Sequence, residues 1–353
     1  MAVGGVLGTA LLALACLGSG CSTLGYYGQA AGGHLDLLQR SRAVAEWLAD
    51  ADTPEALRAR LQLSQRMRDF ASSELGLPDN RSYRRYADLQ RSAVVWNVVA
   101  APELSLTLKT WCFPLLGCVG YRGYFSREPA EAEAAQLKAE GWEASVYGVP
   151  AYSTLGWTNW MGGDPLLNTF LHWPEGELAR LIFHELAHQV AYSADDTMFN
   201  ESFATAVERI GGRRWLETHA TPAARAEYEA LEQRRRAFRQ LTAGYGAALR
   251  KLYESPLPDS DKRTRKAELM AALRADYQQL KTGPWGGFAG YDGWMARANN
   301  ASLGLQAAYD ELVPAFERLF ARQGSDFPRF YAEVRRLAAL PKAQRTEQLS
   351  NSP

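Results

Sequence analysis

The sequence has no excess of charge: 39 Lys and Arg balance 39 Asp and Glu, for a formal net charge of zero. A nucleic-acid binder usually carries a basic surplus to displace phosphate counterions, so that class is disfavoured. The body also lacks the roughly 20 consecutive apolar residues that a membrane-spanning helix needs, and it is expected to be soluble. Cysteine and histidine are scarce, at four and five residues in 353. Two of the cysteines fall near the N-terminus, leaving no second pair to complete a thiolate zinc site. No repeat, low-complexity block, Ser-His-Asp arrangement or phosphate-cradling glycine loop stands out. What is present is a globular composition, 47% hydrophobic and 22% charged, on a chain long enough to bury a substantial core.

Charged side chains are missing until Asp36, and residues 6–17 form an apolar run of signal-peptide length. Gly18-Ser19-Gly20-Cys21-Ser22 follows it. Small residues before a cysteine resemble the bacterial lipobox, in which the cysteine is lipidated. Residues 1–21 are therefore expected to be a signal peptide, with Cys21 anchoring a periplasm-facing protein to the outer membrane. Ordinary secretion and a buried N-terminal helix are the alternatives. In an oxidising compartment Cys112 and Cys118 could close a small loop around Pro114 and Gly117; two buried free thiols are the alternative.

The rest, 22–353, reads as a single α+β domain: a small mixed or antiparallel sheet packed on a helix, then a mostly helical C-terminal half. Helical periodicity covers about 35–75, with Thr53-Pro54 opening a second helix. SAVVWNVVAAP, ELSLTLKTW and CVGYRGYF read as strands within 92–125. A helix at 128–140 ends at Gly141, and a strand covers 143–149. The stretch from Pro150 to Pro165 reads as loop or edge strand. Pro174 opens a helix through Tyr192, and another at 197–210 ends at Gly211-Gly212. Residues 222–281 form a helical hairpin broken at Pro256-Leu257-Pro258-Asp259, with Arg234-Arg235-Arg236 on its solvated face. Helices fill 298–345.

The chemistry concentrates in His184-Glu185-Leu186-Ala187-His188. At i and i+4 on a helix both imidazoles project from one face and can grip one metal. Glu185, beside the first ligand, can reach a metal-bound water as general base. A catalytic zinc wants three protein ligands and an open position. A turn at 193–197 would fold the next helix back, and Glu201 in its first turn fits best as the third ligand. Glu208 is the less favoured alternative for that place. Thr205 and Glu208, one and two turns on, are otherwise candidates to orient the histidines. A pair of core histidines or a decayed site is the bland alternative.

HELAH followed by Asn200-Glu201-Ser202-Phe203-Ala204 resembles the Glu-zincin metallopeptidases, in which a second-helix glutamate is the third zinc ligand. A closer resemblance is to a family of bacterial lipoproteins described as predicted zinc aminopeptidases. It rests on CSTLGYY at 21–27, YRGYF at 121–125, VPAYSTLGW at 149–157, HELAH, NESFA, NNA at 299–301, and Tyr309 with VPAF at 313–316. It implies a zincin-like fold around the HExxH helix, one Zn²⁺ per chain, and hydrolysis of N-terminal residues from peptides. In such peptidases an edge strand holds the substrate, so 150–156 are expected to line the cleft. Tyr152 would then be a possible oxyanion stabiliser, with Tyr309 and His219 as further possibilities. An aminopeptidase also needs an acid for the substrate's α-ammonium; Asp164, Asp195, Asp196 and Asp292 are the candidates. His172 is expected to pack beside the helix start and His34 to lie on the surface. Two rivals stand. One is a zinc endopeptidase acting on envelope proteins or peptidoglycan. The other is a non-catalytic envelope lipoprotein with structural zinc.

Overall fold

The computed structural model describes residues 25–350 except 114–116, 152, 157 and 158; the side chains of 308–310 and 350 also lie outside the description. The expected signal peptide, Cys21 and Tyr152 therefore lie outside the described residues.

The fold is α+β, with 14 helices and three small sheets among the described residues. Helix α1 (25–40) leads to β1 (Arg42–Ala43), α2 (Val44–Ala49) and α3 (Glu55–Ser73). Strand β2 (Arg85–Ala87) pairs antiparallel with β1 and parallel with β8 (Leu166–Leu167). Tyr86, Ala87, Leu166 and Leu167 from this mixed sheet share one buried core with α3, with α6 (Glu175–Ala187) and with α7 (Thr197–Thr218).

The second sheet is antiparallel, with β3 (Val95–Pro102) between β6 (Arg122–Tyr124) and β7 (Trp142–Val149). Alternation along β3 separates its faces. Val98 and Ala100 pack on α4 (Arg127–Ala139), while Val99 and Ala101 meet Ala301 of α11 (Asn300–Asp310). Through α11 this sheet reaches α7. The third sheet is a hairpin of β4 (Trp111–Phe113) and β5 (Gly117–Val119), across which Cys112 and Cys118 form a disulfide. The stretch from Ser105 to Thr110, expected as strand, is irregular. After a turn from Pro102 to Ser105, Leu106 packs on the C-terminal core instead.

Short α5 (Asn168–Leu171) precedes α6. The expected hairpin consists of α8 (Pro222–Glu254) and α9 (Asp259–Thr282). Tyr253 meets Lys262, Tyr245 bonds Asp276 and Phe238 packs edge-on to Tyr277, so the helices run antiparallel. With α10 (Asp292–Ala296) they build a second core around Leu249, Leu273 and Trp285. Helices α12 (Val313–Arg322), α13 (Phe327–Ala338) and α14 (Lys342–Ser350) complete the chain. Among the described residues, no helix is long and apolar enough to cross a membrane.

Two helix boundaries differ from expectation. Helix α6 stops at Ala187, with His188 as its C-cap, because the next amides turn back to carbonyls three residues earlier. Helix α7 does not end at Gly211-Gly212 but runs on to Thr218. Those glycines are contact points. A Cβ at Gly211 would lie 2.6 Å from Leu75 Cδ1, and one at Gly212 would lie 2.7 Å from Arg180 Cγ. They let α7 approach its neighbours closely.

Candidate metal centre

Helices α6 and α7 lie antiparallel, as the pairings Glu175–Trp215, Arg180–Glu208 and His184–Glu201 show. The turn between them is short and tightly held. Asp195 adopts φ +64°, Asp196 caps α7 by accepting from Phe199 N, and Arg345 pairs with the Asp196 carboxylate. Asn200 adds a reciprocal clamp: Ser193 N donates to Asn200 Oδ1, and Asn200 Nδ2 donates to Ser193 O, both at 2.8 Å. Glu201, next in sequence, is thereby fixed facing α6.

Three donor atoms converge there. His184 Nε2 and His188 Nε2 lie 3.2 Å apart, and Glu201 Oε2 lies 3.4 and 3.7 Å from them. Bonds of about 2.0–2.1 Å in tetrahedral geometry place neighbouring donors about 3.3–3.4 Å apart. The spacing therefore fits one small divalent metal, and imidazole and carboxylate are suitable donors. This His-His-Glu set is also the one metal-binding cluster among the described residues. All three side chains are nearly buried.

Burial disfavours charge on every member, and neighbours decide the outcome. Glu201 and Glu208 outweigh burial at His184 and raise its pKa, whereas burial and His184 push His188 down to about 4. Despite burial, His188 and His184 hold Glu201 below its ordinary value. Glu185 is raised to about 7 by burial, and the charges of Glu201, Asp164 and Glu208 add to the effect.

Glu208 stands behind the first imidazole, with Oε2 3.0 Å from His184 Nδ1. Its other oxygen pairs with buried Arg180, which also bonds Glu232 at 3.1 Å. Arg235 then joins Glu232 at 2.6 Å and Glu177 at 2.5 Å. A chain of alternating charge thus runs from the hairpin to His184. Of the triplet expected on a solvated face, Arg236 is exposed, Arg234 lies over Phe288, and Arg235 turns inward. Nothing in the sequence marks Arg180, Glu232 or Arg235 as partners, because their separations reach 58 residues. Thr205 is buried on α7 but bonds neither histidine, and His188 Nδ1 is buried without a partner.

The other expected positions spread out. Asp164 is buried, receives Thr154 N and Oγ1, and its pKa rises to about 6 through burial. Asp195 accepts from Cys118 N, tying the disulfide hairpin to the turn. Asp196 is the helix cap already described, and Asp292 bonds Tyr277 and Lys281 away from the ligands. His172 is exposed rather than packed. His219 stacks on Trp215 at the far end of α7, and His34 is half-buried rather than on the surface. Tyr309 falls in α11, but its side chain lies outside the described residues. The described part of 150–156 forms no strand: Thr154 N is committed to Asp164, and Leu155 and Gly156 both adopt positive φ.

Three other tyrosines do reach the electrostatic surroundings of the ligands. The charge of Glu201 bears on Tyr121, Tyr147 and Tyr192. Fold and site together define an α+β protein with a two-helix His-His-Glu centre. The chain belongs to the family described as "putative aminopeptidase", whose model matches residues 25–349. No curated protein and no solved structure matches it.

Proposed function

We propose that this protein is a zinc-dependent peptidase acting as an aminopeptidase, lipid-anchored through Cys21 and facing the bacterial periplasm. Membership of an aminopeptidase family supports peptide hydrolysis. The observation that carries the metal is the convergence of His184, His188 and Glu201 at tetrahedral spacing. Zinc would supply Lewis acidity toward a water and a peptide carbonyl.

The chain's own groups do the rest. Glu185, one residue from the first ligand, holds a carboxylate raised to about 7, poised to gain and lose a proton near neutrality. It accepts the proton of the attacking water and delivers it to the leaving amine nitrogen. Glu208 accepts a hydrogen bond from His184 Nδ1–H, which leaves Nε2 with its lone pair free for the metal. Arg180 neutralises Glu208 so that this carboxylate remains ionised in the interior.

The test is mass spectrometry of a mixed peptide library incubated with zinc-loaded protein and with Glu185→Gln. Stepwise loss from free amino termini, absent in the variant and blocked by N-acetylation, is the expected result. Internal cuts would replace an aminopeptidase by an endopeptidase. No cleavage by wild type would remove the peptidase reading in favour of a binding lipoprotein.

A further inference from the structure

The segment that joins His188 to Glu201 is gripped from outside by the last two helices of the chain. Just past His188, the carbonyl of Val190 accepts from Arg335 Nε of α13 at 3.2 Å. At the other end, the carbonyl of Asp195 accepts from Lys342 Nζ of α14 at 3.4 Å, and the Asp196 carboxylate pairs with Arg345 of α14. Three cations from two consecutive helices thus hold both ends of the connection between the second ligand and the third.

Arg345 is not an ordinary surface cation. It is 4% exposed and Asp196 is 3% exposed, so neither charge can turn to water when the other leaves. Its Nε donates to Leu337 O at 3.3 Å, and its Nη2 to Ala338 O at 3.3 Å and Leu340 O at 2.8 Å. These carbonyls lie in and just past the last turn of α13, where helical partners run out. The remaining nitrogen, Nη1, meets Asp196. The other Asp196 oxygen accepts from Phe199 N at 3.2 Å, and the Asp196 carbonyl accepts from Asn200 N at 3.1 Å. The guanidinium also lies 5.0 Å from the centre of the Phe199 ring. One side chain therefore fastens the end of α13 to the first turn of α7, and Glu201 follows directly. Helix α14 is itself seated by Leu349, which is buried in the main core.

We infer that Arg345 is a positioning residue for the metal centre, acting through Asp196, and that α13 and α14 form a clasp whose seating and metal binding support each other. Coupling of this kind is reciprocal: a clasp that favours the ligand geometry is favoured, by the same factor, when the ligands are engaged. The inference rests on His184, His188 and Glu201 binding a metal, and it adds that affinity for that metal is set partly from the C-terminal end of the chain.

The first test needs no variant. Hydrogen exchange of the wild-type protein is followed by mass spectrometry with and without zinc, which is expected to slow exchange at 342–350 as well as at 189–201. Slowing confined to the ligand segment would overturn the inference. The second test is the double variant Arg345→Met with Asp196→Ser, which removes both buried charges together and keeps a hydroxyl to cap α7. Its zinc Kd, by chelator competition, is expected to rise about tenfold or more. Its cobalt(II)-loaded visible spectrum should change too, because that spectrum reports ligand geometry rather than the stability of the fold. Arg345→Lys keeps the charge but loses the planar fork, and should give an intermediate Kd. An unchanged zinc Kd with an unchanged cobalt spectrum in the double variant would remove Arg345 from the centre. Wild type that takes up neither zinc nor cobalt would defeat the metal reading, and the clasp with it.

Discussion

Asn200 grips Ser193 with both ends of its carboxamide, one bond each way at 2.8 Å. Because Glu201 follows Asn200 directly, this pair sets where the carboxylate of α7 begins its approach to the two imidazoles. Twelve residues separate His188 from Glu201, and the clamp is what makes so short a connection close.

Asn200→Ala leaves a buried amide and carbonyl of Ser193 unpaired. A cost of about 3 kcal/mol is expected, at roughly 1–3 kcal/mol for each unsatisfied buried group. Zinc affinity should fall with it, about tenfold or more, because Glu201 loses its fixed position. Urea unfolding and a chelator-competition titration measure the two effects. Lost stability with unchanged zinc affinity would separate the clamp from the ligand.

Glu208→Gln keeps the size of the side chain but removes the charge behind His184. Zinc affinity is expected to drop about 10- to 100-fold, the usual effect of removing a histidine's outer partner. The fold should persist, since Arg180 keeps Glu232 as a counter-charge. Zinc titration by competition, alongside circular dichroism, decides the matter.

The adjacent glycines of α7 allow a contrast within one residue type. Gly211→Ala and Gly212→Ala gain about 1 kcal/mol of helix propensity. They also force a Cβ to 2.6 Å from Leu75 and 2.7 Å from Arg180. Overpacking costs about 1–3 kcal/mol, so a net loss is expected at both sites. Gly244→Ala on α8 meets nothing within 4 Å and should stabilise by about 0.5–1 kcal/mol. Denaturant midpoints of the three variants give the comparison, and a gain at all three would show that α7 has room to spare.

Asp164 ties stability to pH. Burial raises its folded pKa to about 6 against the bonds from Thr154 and Ser153, from an ordinary value of 3.8. A raised carboxylate favours the folded state below its unfolded pKa, and that contribution is lost as pH climbs through about 6. The difference corresponds to about 3 kcal/mol. Asp164→Asn does not titrate, so its Tm relative to wild type should rise between pH 4 and pH 7 and then level off. A pH-independent difference would place the raised pKa elsewhere.

How much was legible varied with the range of the interaction. His184, Glu185 and His188 belong to one helical turn, so their spacing alone puts them together. The strands at 95–102 and 142–149 are short runs rich in Val and aromatic residues, bounded by Pro and Gly, and Pro256-Leu257-Pro258-Asp259 breaks the hairpin by local backbone chemistry. The glycine pair misled for a physical reason. A glycine that ends a helix and one that admits a neighbour's side chain look the same in sequence, and only the packing partner distinguishes them. The inward turn of Arg235 was invisible for the same reason, since its partner Glu177 lies on another helix.

The sequence by itself determined the donors that one turn of α6 could present, the α+β layout, and the helix-start residues that begin α7. Those features follow from periods of 3.6 and 2 and from local capping. Tertiary structure decided which carboxylate meets the imidazoles, that Glu208 stands behind His184 with Arg180, and that Arg235 turns inward to Glu232 and Glu177. Each of those relations depends on two elements approaching within hydrogen-bond or van der Waals distance. That approach is fixed by core packing and by close contacts such as Gly212 against Arg180.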